Sequence, residues 1–273
     1  FKTSIMAGAS SVWVRDVLGN SRTGITSLDA DVVTVWTDDT VNGSGSPYNY
    51  VAVRDDGAGD FKVGSYTGDA TDGKAITGLG FSPCYVLIKS DSAIVGASKY
   101  AGQTNSSMQF GGADRTDLIV SLDSDGFTIN NGSADGANLV NVNATTHYYF
   151  AFKEVRNRIY TFSYTGNGSD SRNLTILGFQ PGFLLIKGEG GGEPRYRWTG
   201  ASYSGDNSQS WDQGIIANAI QGFSSTGFQV GTDSSVNTNN EIYHGLALYD
   251  PDNATSDALS NTTFGSPTYL FGR

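Results

Sequence analysis

The residues best suited to contact a ligand lie together in one stretch of the second half of the chain. This stretch, EPRYRWTGASYSGDNSQSW (193–211), mixes aromatic and basic side chains with Asn, Asp and Gln. The candidate contact residues are Arg195, Tyr196, Arg197, Trp198, Tyr203 and Trp211. Aromatic rings pack on the C–H faces of sugars while polar groups satisfy the hydroxyls, and protein interfaces favour the same side chains. We therefore expect a loop that contacts a glycan or another protein, with simple packing of Trp198 and Trp211 as the alternative.

Two closely spaced carboxylates, Asp123 and Asp125, resemble the start of a calcium-binding loop. The bidentate Glu that such a loop requires does not follow, because the sequence continues with FTI. The corresponding stretch 225–227, STG, carries no carboxylate. An Asx-type hairpin turn explains the same residues with fewer requirements, so we predict no metal and no cofactor.

Side chains for catalysis are scarce. A glycosidase needs two carboxylates across a cleft, and serine chemistry needs a base histidine with an orienting acid. The chain has only four Glu and two His: Glu154, Glu189, Glu193, Glu241, His147 and His244. The Glu residues do not occur at matching positions of the repeat described below, and neither His lies near a GxSxG motif. The sequence therefore predicts a protein without enzymatic activity.

The overall composition excludes further classes. The 273 residues carry 27 acidic and 17 basic side chains, for a net charge of −10. Binding to nucleic acid requires clustered Lys and Arg, and crossing a membrane requires about 18 or more consecutive apolar residues. Neither feature occurs, so we expect no nucleic-acid partner and no membrane partner. A single cysteine, Cys84, excludes an intrachain disulfide framework.

A long internal repeat organises the chain. Residues 65–89 read SYTGDATDGKAITGLGFSPCYVLIK, and residues 163–187 read SYTGNGSDSRNLTILGFQPGFLLIK. Thirteen of these 25 positions are identical, without a gap. Weaker similarity continues through SLDSDGFTI (121–129) and HYYFAFKE (147–154), and both patterns occur once more in the first 57 residues. Such a repeat at a fixed spacing predicts repeated structural units.

The repeat divides the chain into two complete units at 58–156 and 157–252, preceded by an N-terminal unit at 1–57 and followed by a tail at 253–273. The N-terminal unit lacks its GLGFxPxxxLIK half. Short apolar runs bounded by Gly and Pro, such as YVLIK and FLLIK, are typical of buried strands. We predict an all-β fold of tandem β-sandwich modules, jelly-roll or lectin-like, with Gly- and Asn-rich hairpins and little helix. A single short helix is expected at 213–221.

The succession of SYTGNGS, LGFxPxxLLIK, SLDxDGFTI and a YYFAF-type strand resembles a repeat of structural proteins of tailed bacteriophages, especially marine phages and cyanophages. The resemblance covers about 220 residues, from Ser27 to Asp250. It implies β-sandwich modules and a non-enzymatic role on the virion surface, as a tail fibre, a head decoration or a turret-type protein. It also implies self-association into a homo-oligomer, contacts with other virion proteins, and host attachment through a surface glycan.

Two alternatives share these features: a secreted, lectin-like carbohydrate-binding module, and a microbial surface or filament subunit. All three place the protein on a virion surface or outside the cell. The incomplete N-terminal unit leads to one further expectation. A sheet edge with an exposed apolar face is unstable alone, so the tail at 261–273, or that of a neighbouring subunit, is expected to add a strand to it. Because the chain starts at Phe1 instead of Met, we also expect that upstream sequence has been cleaved or omitted.

Overall fold

The computed structural model describes residues 24–29, 32–37, 42–44, 50–53, 59–91, 95–104, 106–132, 140–199, 205–210, 214–249 and 269–272. Strands dominate these ranges, and α1 (Ser234–Asn237) is one short helical turn. The predicted all-β, sandwich-type fold is confirmed.

The predicted helix at 213–221 is wrong, because this stretch contains β18 (Gly214–Ile216) and the start of β19 (Ile220–Ser224). Branched isoleucines favour strands, and Asn218 turns the chain between the two strands with a left-handed φ of 58°.

The first complete unit consists of two antiparallel sheets. Its strands are β4 (Phe61–Thr67), β5 (Lys74–Thr77), β6 (Pro83–Ser90), β7 (Ala97–Tyr100), β8 (Ser107–Gln109), β9 (Asp114–Arg115), β10 (Ile119–Asp123), β11 (Gly126–Ile129) and β12 (Thr146–Lys153). Six of them form a sheet in the order β4-β12-β6-β7-β8-β9, and the other three form a sheet in the order β10-β11-β5. The two sheets face each other across a hydrophobic cluster that contains Val86, Ile88 and Phe127.

The second complete unit has the same strand order. Its strands are β13 (Ile159–Thr165), β14 (Arg172–Leu174), β15 (Pro181–Gly188), β16 (Gly191–Trp198), β17 (Ser208–Ser210), β18, β19, β20 (Gly227–Val230) and β21 (Ile242–Tyr249). The six-stranded sheet runs β13-β21-β15-β16-β17-β18, and the three-stranded sheet runs β14-β20-β19. Leu184, Ile186 and Phe228 lie in the cluster between these two sheets.

The six-stranded sheets of the two complete units pack against each other, which gives four layers of sheet. We call this contact the central interface. It is one hydrophobic cluster to which both units contribute, and it includes Tyr85, Leu87, Tyr100, Phe152, Phe183, Leu185, Trp198, Leu246 and Leu248. Alternate residues of β6 point to opposite faces, so Tyr85 and Leu87 enter the central interface while Val86 and Ile88 enter the core of their own unit. The continuous apolar runs of β6 and β15 are therefore buried on both faces.

The described part of the N-terminal unit forms two small sheets. The first is a hairpin of β1 (Ile25–Leu28) and β2 (Val33–Val35). In the second, β3 (Tyr50–Val53) pairs antiparallel with β22 (Tyr269–Gly272), which belongs to the C-terminal tail. Val53 packs against the central interface. The boundaries assigned to the units, and the need for the tail in folding, stay predictions.

Candidate functional site

The structure places the basic and aromatic stretch largely in a strand, so the expectation of a loop is wrong for Arg195, Tyr196, Arg197 and Trp198. All four lie in β16, which pairs with β15 on one side and with β17 on the other. The hairpin between β15 and β16 is tight, because Gly188 pairs directly with Gly191. Tyr203 and Trp211 lie outside the described residues.

The two aromatic members of this strand pack inward. Trp198 is only 3% exposed and belongs to the central interface. Tyr196 is half-buried and stacks on Trp198, with ring centroids 5.7 Å apart. Burial raises the pKa of the Tyr196 phenol to about 12. Trp198 therefore has no solvent-facing ring for a ligand, and its position is that of a packing residue.

The two arginines contact groups of their own unit. Arg195 is 5% exposed, and its Nε lies 3.4 Å from Oδ1 of Asp233, the residue that caps α1. The guanidinium of Arg197 donates to the carbonyl oxygens of Asn207 and of Ile220, the latter at 3.1 Å. An arginine with several donors suits this bridging of separate segments. Of the four candidates that the structure describes, both arginines are thus used for contacts within the unit.

A cluster of ionisable groups, which the sequence reasoning missed, lies where the two complete units meet. Lys187 is buried at the end of β15, and its Nζ donates to the carbonyl oxygens of Gly112 at 2.8 Å and Gly188 at 2.9 Å. Gly112 belongs to the first unit, so the first of these bonds crosses between units. A backbone bond from Asp114 N to Glu189 O, 2.9 Å long, crosses the same boundary.

The environment of this cluster shifts the pKa values of its ionisable groups. Burial lowers the pKa of Lys187 to about 8, although nearby carboxylates led by Asp114 oppose the shift. Burial also raises the pKa of Asp114, against hydrogen bonds from Ser106 and Gln103. An amine with a lowered pKa is a common nucleophile, but Lys187 is enclosed and directed at two backbone carbonyls. In this arrangement it acts as a hydrogen-bond donor between the units.

The two histidines have separate structural partners. His244 Nε2 lies 2.7 Å from Oε1 of Glu189, and its ring stacks near that of Tyr100 across the central interface, with centroids 6.0 Å apart. His147 Nε2 accepts a hydrogen bond from Val142 N at 3.1 Å. Burial lowers the pKa of His147 to about 4. Both rings therefore help to hold loops and sheets in place.

The carboxylates that resembled a calcium loop serve the hairpin. Asp125 accepts from Gly78 N at 3.1 Å and from Gly80 N at 2.6 Å, which ties the β10–β11 turn to the LGF turn. Asp123 accepts from the hydroxyls of Ser121 and Thr128. Within the ranges that the structure describes, no group of three or more His, Cys, Asp or Glu side chains is placed to hold a metal ion.

A signal for the interunit cluster was present in the sequence, because a lysine ends the apolar strand in both repeats, as Lys89 and Lys187. A buried lysine needs hydrogen-bond acceptors, but the acceptor on Gly112 lies 75 residues away. Only the packing of the two sheets identifies it.

Comparison with known proteins gives no assignment. The chain matches no protein-family model, and no curated protein or solved structure matches it. In the described part of the chain, no helix has the length and apolar character needed to cross a membrane.

Proposed function

We propose that this protein is a non-enzymatic structural component of a virion surface, of the tail-fibre, head-decoration or turret type. The observation that carries the proposal is the central interface, through which two complete units share one hydrophobic core. Proteins whose sheets pack on both faces have few ways to deform. Such a body suits a part that must keep its shape on the outside of a particle.

The polar groups of the described residues support the same proposal. Lys187, Arg195 and Arg197 bind backbone or carboxylate within the chain, and the candidate strand β16 is used for packing. The acidic balance, −10 overall, keeps an assembly soluble and repels polyanions. Homo-oligomeric contacts, contacts with other virion proteins and host attachment belong to this proposal.

Electron microscopy of purified virions labelled with antibodies against this chain tests the proposal. Labelling on the particle surface is expected. Reactivity confined to the particle-free supernatant would contradict a virion location. Because the proposal includes a homo-oligomer, light scattering of the isolated chain should give a mass of at least twice 28.9 kDa.

The lectin-like alternative is tested in parallel on a glycan array. A sugar-binding site of the predicted type would need an accessible ring at Trp198, which is buried. Tight glycan binding by the isolated chain, abolished by Arg197→Ala but not by Arg172→Ala, would favour the lectin.

A further inference from the structure

The N-terminal hairpin has the same strand register as the hairpins of the complete units. In each case the pairing shifts at the same place, after the first isoleucine. The equivalent cross-strand pairs are Ile25↔Val35 and Leu28↔Val33 in the N-terminal hairpin, Ile119↔Ile129 and Leu122↔Phe127 in the first complete unit, and Ile220↔Val230 and Phe223↔Phe228 in the second. The β1–β2 hairpin is therefore the equivalent of β10–β11 and β19–β20.

The burial of these equivalent residues differs sharply. Phe127 and Ile129 are fully buried, whereas Val33 and Val35 are 36% and 39% exposed. Trp36, which follows β2, is 56% exposed. In the complete units the six-stranded sheet packs on this face, and a third strand pairs with the edge of the hairpin. The N-terminal hairpin thus presents to solvent an apolar face that the same register buries elsewhere.

A second position is also unfilled among the residues that the structure describes. The last strand of a complete unit pairs on both edges, as β12 does with β4 and with β6. By sequence and register, β3 corresponds to β12, and β22 takes the position of β4: Gly272 lies opposite Tyr50, as Gly64 lies opposite Tyr149. Among the described residues, β3 pairs with β22 alone.

One continuous segment fills both positions in each complete unit. In the first unit, residues 74–90 supply β5, which pairs with β11, and then β6, which pairs with β12. Residues 172–188 supply β14 and β15 in the second unit. We propose that the N-terminal unit binds a strand–turn–strand segment of this type from another polypeptide chain. Its apolar strand adds to the open edge of β3, and the β1–β2 hairpin covers it.

Charge favours such a partner. Both internal segments begin and end their strand–turn–strand core with basic residues, Lys74 and Lys89 in the first unit and Arg172 and Lys187 in the second. The chain that would receive the segment carries a net charge of −10. Opposite charge steers association. The partner is thus a basic-ended segment of the pattern LGFxPxxxLIK, and its binding does not depend on a virion location.

Val32 limits how the partner binds. At the equivalent positions Gly126 and Gly227, a Cβ would lie 1.9 Å from the carbonyl oxygens of Ile76 and Leu174 in the third strand. Asp29 N donates to Val32 O in the N-terminal hairpin, which places Val32 at this position. The first strand of the partner therefore cannot approach as closely here, and pairing of its apolar strand with β3 carries most of the binding.

A peptide of residues 172–188, RNLTILGFQPGFLLIKG, probes this site on the full chain, with a scrambled peptide of the same composition as control. The peptide contains no Trp, so burial of Trp36 is read as a blue shift of protein emission that Trp36→Phe removes. Saturable binding and slowed amide exchange at 50–53 are expected. Val35→Asp should weaken binding at least about tenfold, and Val32→Gly should strengthen it. Ile215→Asp, at an exposed apolar position on β18, should leave binding unchanged.

Three outcomes would overturn the proposal. The first is no saturable binding to either the natural chain or Val32→Gly, with both folded by circular dichroism. The second is exchange protection in β5 and β6 instead of β3, which would mean that the peptide displaces a segment of a complete unit. The third is a concentration-dependent blue shift without peptide, accompanied by dimerisation, which would assign the apolar face to a second copy.

Discussion

The two complete units meet the same structural requirements with different residues. In the first unit, His147 Nε2 accepts the hydrogen bond from Val142 N at 3.1 Å. In the second, the residue at that register position is Tyr243, whose hydroxyl accepts from Thr238 N at 2.8 Å. Both side chains satisfy a backbone donor of the loop that leads into the last strand. The loop therefore requires an acceptor at this point and does not require a particular residue.

Aromatic packing between the first and last strands shows the same exchange. In the first unit Gly64 lies opposite Tyr149, whose ring occupies the space that a Cβ would take. In the second unit the order is reversed, with Phe162 opposite Gly245. Each pair supplies one ring and one glycine. The comparison teaches that the fold retains the volume of the pair, while either strand can carry the ring.

Reversing the pair in the first unit should give the largest effect. Tyr149→Gly should lower the free energy of unfolding by about 4 kcal/mol, because it leaves a large cavity. Gly64→Phe alone forces a second ring into filled space. The double variant reproduces the arrangement of the second unit, so a double-mutant cycle from denaturant unfolding should give a favourable coupling of about 2 kcal/mol or more. Additive losses would show that the two pairs are not equivalent.

Some positions allow no such exchange. A Cβ on Gly227 would lie 1.9 Å from the carbonyl oxygen of Leu174, and backbone cannot move aside as a side chain can. Gly227→Ala should therefore cost about 3 kcal/mol of unfolding free energy. Gly222→Ala in the same hairpin is the matched control, since no atom lies within 4 Å of its Cβ position. Equal stabilities of the two variants would refute the requirement for close strand approach.

The His147/Tyr243 difference predicts a pH effect confined to the first unit. The pKa of His147 is lowered to about 4 in the fold from an ordinary value of 6.5, so the unfolded chain binds the proton more tightly. The stability due to neutral His147 is complete above pH 6.5 and is lost as the pH falls towards 4. The loss reaches about 3 kcal/mol.

Chemical denaturation at pH 7 and pH 4.5 measures this effect. His147→Tyr, which copies the second unit, should remove most of the acid-dependent loss. Tyr243→Phe serves as a control without a titrating group in this range. An unchanged acid sensitivity in His147→Tyr would assign the loss to other groups.

Much of the fold could be predicted from sequence, because the repeat fixes which segments are equivalent and the apolar runs identify buried strands. The runs YVLIK and FLLIK indicate burial on both faces, but only the structure shows that the second face of each meets the other unit. The candidate site was predicted less well. Arg195 and Trp198 are polar or aromatic and follow a glycine-rich turn, which favoured a loop. Pairing with β15 and β17 overrides that local preference.

Calorimetric unfolding of the full chain tests most directly whether the two complete units behave as one body through the central interface. Because Tyr85, Leu87, Phe183 and Leu185 share one core, a single transition is predicted, with equal calorimetric and van't Hoff enthalpies. Leu246→Ala, within that core, should shift the whole transition to lower temperature. Two separate transitions, only one of which responds to Leu246→Ala, would contradict the account.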